Sequence, residues 1–133
     1  MLEGLRILAV EDDPDTAEVV RSVLQEQGHE VRTAADGRKA LAELAGWQPD
    51  VVILDLLLPA LSGHALLRYL RDLPEYRQTP VLVMSGALPT LAKVDGATSV
   101  LSKPFELTQL IAMIGSLRAM LASRAVMAGA AEN

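Results

Sequence analysis

Several residue types are absent or scarce in this chain of 133 residues, and each absence excludes a class of protein. There is no cysteine, so the chain can form no disulfide, no thiolate metal site and no cysteine nucleophile. One Trp, two Tyr and one Phe are too few for the stacking surface that binds single-stranded nucleic acid. The net charge is -5 and no basic stripe is present, which argues against direct binding to nucleic acid or to an anionic membrane.

Long apolar runs are lacking as well. No segment has the roughly 20 unbroken apolar residues that a membrane-spanning helix needs, and residues 1–6 lack the basic start and apolar stretch of a signal peptide. We therefore expect a cytoplasmic chain without membrane insertion. Hydrophobic residues nevertheless make up 50% of the sequence, which is enough to bury a core, and the length fits one domain.

Strand and helix patterns alternate along the whole chain. Short apolar runs predict strands at residues 5–10, 29–34, 51–54, 81–84 and 100–101. Helical patterns lie between them: one begins at Asp13-Pro14 and stops at Gly28, and others cover residues 37–44, 63–73 and 106–121. Continuous apolar strands separated by helices predict a doubly wound, five-stranded parallel sheet with helices on both faces.

A change in composition near the carboxyl end predicts where the domain stops. We expect one domain over residues 1–122, followed by an Ala-rich tail over residues 123–133 that frays or serves as a linker. No internal repeat or low-complexity linker interrupts the domain.

Polar side chains follow four of the five predicted strands. They are Glu11, Asp12 and Asp13 after the first, Asp55 after the third, Ser85 after the fourth and Lys103 after the last. In a doubly wound sheet the ligand site lies at the carboxyl ends of the strands, so we expect these groups to converge. Clustered carboxylates must take up protons or bind a cation, and oxygen ligands favour Mg²⁺. A nearby lysine could neutralise an incoming phosphoryl group, so the chemistry that fits is attack by a carboxylate on phosphorus.

The same stretches resemble a known family, the response-regulator receiver domains of two-component signalling. The resemblance covers about residues 5–121. It is carried by residues 7–14 (ILAVEDDP), 50–59 (DVVILDLLLP) with Gly63, 83–86 (VMSG) and 103–105 (KPF). No single stretch is decisive, but all four occur in order and each lies at the end of a predicted strand.

The resemblance implies a role for each residue at this edge. Asp55 would accept a phosphoryl group from a sensor histidine kinase or a histidine phosphotransfer protein, with Mg²⁺ bound. The metal ligands would be Asp12 directly, Glu11 through water, Asp55, and the backbone carbonyl of Leu57. Such a protein is not an enzyme beyond taking part in its own phosphorylation and dephosphorylation.

The remaining site residues are also assigned by the resemblance. Lys103 would pair with the phosphoryl group, and Ser85 stands where the family has Thr or Ser. In this family a cis peptide bond usually precedes the proline at position 104. Asp13 falls outside the metal pair and is expected to cap the first helix.

Two departures from the family pattern keep an alternative open. The family often has Tyr or Phe three residues before the lysine, and Val100 stands there. The interval between Ser85 and Lys103 is also about one helical turn shorter than usual, so the helix expected at 88–96 is short or irregular. A non-switching interaction module is therefore the alternative. A metal-dependent phosphohydrolase fits less well, because the sequence offers no cap domain and no visible substrate pocket.

Overall fold

The computed structural model describes residues 4–59, 61–86 and 94–132. Strands and helices alternate, and one turn of 3-10 helix at Pro74–Tyr76 precedes the fourth strand. The strands are β1 (Arg6–Val10), β2 (Glu30–Ala34), β3 (Val51–Asp55), β4 (Val81–Ser85) and β5 (Ser99–Ser102). The helices are α1 (Pro14–Glu26), α2 (Gly37–Gly46), α3 (Gly63–Asp72) and α4 (Leu107–Glu132).

The strands form one parallel sheet in the order β2-β1-β3-β4-β5, which confirms the predicted fold class. Alternate residues of each strand enter opposite cores. Ile7 and Ala9 pack with α1 and α4, whereas Leu8 and Val10 pack on the side of α2 and α3. Because β1 and β3 are buried on both faces, their residues read as continuous apolar runs rather than as an alternating pattern.

Side chains at the helix starts explain where three helices begin. Asp13 caps α1, and Pro14 occupies its first turn. The Asp36 carboxylate accepts a hydrogen bond from the Lys39 backbone N–H at 2.8 Å, and Ser62 caps α3 in the same way. The expectation that Asp13 caps the first helix is therefore confirmed.

The last helix is longer than predicted. The sequence predicts its end at residue 121, but helical structure continues to Glu132. Alanine is the strongest helix former, which favours this extension. Whether the segment is a linker stays a prediction.

By length and composition, Leu107–Gly129 could also cross a membrane. However, Leu110, Ile114 and Leu117 of this helix pack into the domain core. Core helices meet the same criterion, so this finding alone does not place the chain in a membrane.

The segment between β4 and β5 falls partly outside the described residues. The short or irregular helix expected at 88–96 lies mostly within residues 87–93, which are not described; residues 95 and 96 form a turn. The guanidinium of Arg71 in α3 holds the end of this segment, since its Nε donates to the Gly96 carbonyl at 2.8 Å. Its Nη1 also donates to three carbonyls ahead of β4, those of Tyr76, Arg77 and Thr79, at 2.9, 3.2 and 2.7 Å.

Candidate functional site

The sheet register places the predicted site residues side by side. Val10 at the end of β1 is the partner of Leu54 in β3, so Glu11 and Asp55 follow at the same level. Asp55 is in turn the partner of Met84 in β4, which puts Ser85 at the same edge. Glu11, Asp55 and Ser85 are buried, at 2%, 4% and 1% exposure.

Lys103, in the loop after β5, reaches across this edge to both buried carboxylates. Its Nζ lies 3.0 Å from Asp55 Oδ2 and also donates a hydrogen bond to Glu11 Oε1. The Lys103–Pro104 peptide bond is cis, as the resemblance implied. The chain therefore supplies a cation of its own between two acids that are far apart in sequence.

Three carboxylates form a possible metal site beside this lysine. One oxygen each from Glu11, Asp12 and Asp55 lies within 4.8 Å of the other two, and Asp12 is exposed to solvent. Two unit charges about 4 Å apart repel by about 4 kcal/mol at an effective dielectric constant of 20. One ammonium cannot balance three carboxylates, so this group must take up a proton or bind a further cation, and its oxygen ligands suit a hard divalent ion.

The hydrogen bonds of Asp55 and Glu11 fix the orientation of both carboxylates. Asp55 Oδ1 accepts from the Leu57 backbone N–H at 3.0 Å, which leaves Oδ2 facing Lys103. Glu11 Oε2 accepts from the Asp13 backbone N–H at 3.3 Å. These backbone donors depend on the conformations of the loops after β1 and β3, so the sequence pattern gave no signal for them.

Burial and charge perturb both members of the Glu11–Lys103 pair. Burial raises the pKa of the Glu11 carboxyl to about 7, the bond from Lys103 opposes this, and the hydrogen bond and negative charge of Asp55 add to it. Burial tends to lower the pKa of the Lys103 ammonium, but its bonds to Glu11 and Asp55 outweigh that effect and raise it. Lys103 is therefore charged at neutral pH, whereas Glu11 is poised to exchange a proton for a cation.

A glycine allows the helix after the site to approach the backbone of Asp55. A Cβ at Gly63 would lie 2.4 Å from the Asp55 carbonyl oxygen and 2.5 Å from the Leu56 Cα. The Gly63 N–H donates to the Leu56 carbonyl at 3.1 Å. In the sequence Gly63 is only one residue of a motif, whereas its steric role follows from these contacts.

The structure thus brings together Glu11, Asp12, Asp55 and Lys103, with Ser85 at the end of the neighbouring strand. Leu57 follows this group, and its side chain is 63% exposed. Val100 is partly buried against the core on the side of α2 and α3, where the family often has an aromatic ring.

Comparisons with known proteins agree with this geometry. A family model described as the response regulator receiver domain matches residues 7–115. The transcriptional regulatory protein TcrA of Mycobacterium tuberculosis is 40% identical over 120 residues, covering 87% of this chain and 47% of TcrA. The response regulator MprA of Mycolicibacterium vanbaalenii is 37% identical over 117 residues, covering 85% of this chain and 50% of MprA.

A solved structure of a response regulator is also similar to this chain. The chemotaxis response regulator CheY4 of Vibrio cholerae aligns with a TM-score of 0.80 and 33% identity, covering 86% of this chain and 98% of CheY4. The chain spans about half the length of the curated relatives it matches.

Proposed function

Because the chain belongs to the response regulator receiver family, we propose that Asp55 accepts a phosphoryl group from a phosphohistidine donor with Mg²⁺ bound. The donor is a sensor histidine kinase or a histidine phosphotransfer protein. The observation that carries this proposal is the position of the buried Asp55 carboxylate, which lies 3.0 Å from the Lys103 ammonium and beside two further acids.

In the proposed reaction, one Asp55 carboxylate oxygen attacks the phosphorus of the phosphohistidine. A P–O bond forms and the P–N bond breaks. The imidazole nitrogen keeps the electron pair of that bond and takes up a proton from solvent. The product on Asp55 is an acyl phosphate.

The residues around Asp55 have distinct tasks in this reaction. Lys103 already contacts the carboxylate, so its ammonium is placed to neutralise a phosphoryl oxygen. Ser85 stands at the end of the adjacent strand, where its hydroxyl would hydrogen-bond a phosphoryl oxygen. The Leu57 N–H orients the attacking carboxylate through its bond to Oδ1.

The acidic group has the ligand chemistry that suits Mg²⁺. Glu11, Asp12 and Asp55, with the backbone carbonyl of Leu57, would hold the ion, which would offset the negative charge of the carboxylates and the phosphoryl oxygens. Carboxylates that otherwise repel one another and a pKa of about 7 for buried Glu11 support a cation at this position.

Several properties accompany this proposal. We assign the chain no catalysis beyond its own phosphorylation and dephosphorylation, and we place it in the cytoplasm, where histidine kinases deliver the phosphoryl group. The name of TcrA refers to transcriptional regulation, but this chain matches only 47% of that protein. The chain's charge of -5 supports signalling by protein contact rather than by direct contact with nucleic acid.

Phosphorylation by a small donor tests the assignment of Asp55. The protein is incubated with acetyl phosphate and Mg²⁺, and intact-mass spectrometry measures the fraction that carries one phosphoryl group. We expect labelling of the wild type and of the control Asp72→Asn, which changes an exposed acid at the end of α3. Asp55→Asn should not be labelled, and EDTA should abolish labelling of the wild type. Equal labelling of Asp55→Asn and the wild type would refute the proposal.

A second candidate function rests on Val100. Without an aromatic ring at this position, phosphorylation can leave the surface formed by β5 and α4 unchanged, and the domain would then be a non-switching interaction module. Amide spectra with and without beryllofluoride distinguish the two functions. Changes confined to the loops around Asp55 would favour the non-switching module, whereas changes that extend along β5 and α4 would favour a switch.

A further inference from the structure

A cleft between α2 and α3 gathers nearly all of the aromatic side chains of this chain. Its volume is about 580 Å³, within the range of about 300–1,000 Å³ typical of ligand sites. Trp47, Tyr69 and Tyr76 line it, and they are the one Trp and the two Tyr of the whole sequence. Trp47 and Tyr76 belong to the core on the side of α2 and α3, so they give the cleft a fixed aromatic wall beside the half-exposed Tyr69.

The walls of the cleft combine rigid and accessible parts. Trp47 and Tyr76 are buried, at 8% and 5% exposure, and the Tyr76 hydroxyl donates to the Leu44 carbonyl at 3.2 Å. Tyr69 is 48% exposed, so one aromatic ring is available to a partner without rearrangement. Leu41 and Leu44 of α2 complete an apolar floor.

The residues that line the cleft carry charge of one sign. Among the described residues that line it, Glu75 supplies a carboxylate and there is no Lys, Arg or His. Helix α2 ends here at Gly46 with no basic residue in its last turn, so the negative end of its dipole is not offset by its own side chains. The nearby Arg32 guanidinium lies 4.5 Å from the Trp47 ring centroid, outside the cleft lining, and is paired with Glu43 at 3.1 Å.

We propose that this cleft binds a lysine or arginine side chain of a partner protein. Its apolar floor would pack against the aliphatic stem, and the half-exposed Tyr69 ring, Glu75 and the end of α2 would face the charged head. Arg32 already lies over the buried Trp47 ring, so the half-exposed Tyr69 ring is the one that remains for the partner's cation. A neutral or acidic side chain would forgo the charge complementarity.

The cleft lies away from the acidic edge. Helices that connect parallel strands run back along the sheet, so the ends of α2 and α3 lie at the amino ends of the strands. Gln48 of the cleft belongs to the loop that leads into β3, whereas Asp55 is the last residue of that strand. A partner held at the cleft would therefore leave the acidic edge around Asp55 uncovered, and its binding does not depend on the proposed phosphorylation.

Two matched peptides test the charge requirement. Ac-Leu-Arg-Leu-NH₂ carries the proposed cation, and Ac-Leu-Cit-Leu-NH₂ replaces arginine with citrulline, a neutral side chain of nearly the same shape. Each is titrated to about 10 mM, the range of a weak single-side-chain contact, while amide spectra and Trp47 emission are recorded. We expect saturable shifts at residues 41–48 and 69–76 with the arginine peptide, and binding about three- to tenfold weaker with the citrulline peptide.

Variants connect the binding to the cleft itself. Glu75→Gln and Tyr69→Ala change exposed or half-exposed side chains and should each weaken binding of the arginine peptide about threefold. Glu26→Gln removes an equivalent exposed acid at the end of α1 and should leave binding unchanged. Equal affinity for the two peptides, an unaltered affinity in Glu75→Gln, or no saturable change would overturn the proposal. None of these results would bear on the role of Asp55.

Discussion

Replacing Glu11 with glutamine should change how the stability of this protein depends on pH. In the folded protein burial raises the pKa of Glu11 from 4.5 to about 7. An unfolded chain releases the proton at the lower value, so between the two values the folded state binds more protons than the unfolded state. The free energy of unfolding therefore falls as the pH rises from about 4.5 to 7. The stabilisation linked to the Glu11 proton is fully present below pH 4.5 and is lost above pH 7.

The size of the effect follows from the two pKa values. Across this pH interval, the difference in proton binding between the folded and unfolded states changes the free energy of unfolding by about 3 kcal/mol. Glutamine keeps the shape of the side chain and can still accept the bond from Asp13, but it carries no charge to desolvate. In metal-free buffer the wild type should thus lose about 3 kcal/mol relative to Glu11→Gln as the pH rises from about 4.5 to 8.

Urea denaturation in EDTA at several pH values measures this difference. Glu30→Gln, an exposed acid at the start of β2, is the control and should follow the wild type. Adding Mg²⁺ at pH 8 should stabilise the wild type more than Glu11→Gln, because the ion binds the folded state through an ionised ligand. Parallel pH profiles for the wild type and Glu11→Gln would refute the reasoning.

Two further predictions concern packing around the site and the loops. Gly63→Ala should lower the free energy of unfolding by about 2 kcal/mol in urea titrations and slow acetyl phosphate labelling, because the new Cβ would push against the backbone of Asp55. Gly115→Ala, which meets no atom within 4 Å, should instead stabilise by about 0.5–1 kcal/mol, and the same sign for both would contradict the steric argument. Arg71→Ala should cost about 3 kcal/mol, because four carbonyls lose their donor, whereas Arg68→Ala on the exposed side of α3 should cost under about 0.5 kcal/mol. Thermal unfolding of the two arginine variants checks this, and equal midpoints would argue against the role of Arg71.

The sheet and its edge could be predicted because two simple patterns determine them. Short, β-branched, continuous apolar runs such as residues 51–54 are typical of strands that are buried on both faces, and their alternation with helices implies parallel order. Parallel strands end at one edge, so Glu11 and Asp55 were expected to meet although they are far apart in sequence. The structure brings them together beside Lys103.

Other contacts depend on side-chain geometry that no periodic pattern records. The direct bond between Lys103 and Glu11 requires a particular path of the loop after β5, and the four carbonyls around Arg71 come from loops of irregular conformation. Residue 121, the end predicted for α4, is too early. The intrinsic preference of alanine for helix explains the continuation to Glu132.

Helix α4 extends well beyond the core of the domain. Its 26 residues extend about 39 Å, but its packing contacts with the core end at Leu121. Beyond that point the bond from Arg124 to the Gln78 carbonyl, at 2.7 Å, ties the helix to the loop before β4. A tilt of about 10° about Leu121 would carry the end of the helix roughly 3 Å sideways. Small movements near β5 would thus become larger movements at Glu132. The hydrogen bond from Arg124 to Gln78 would limit their size.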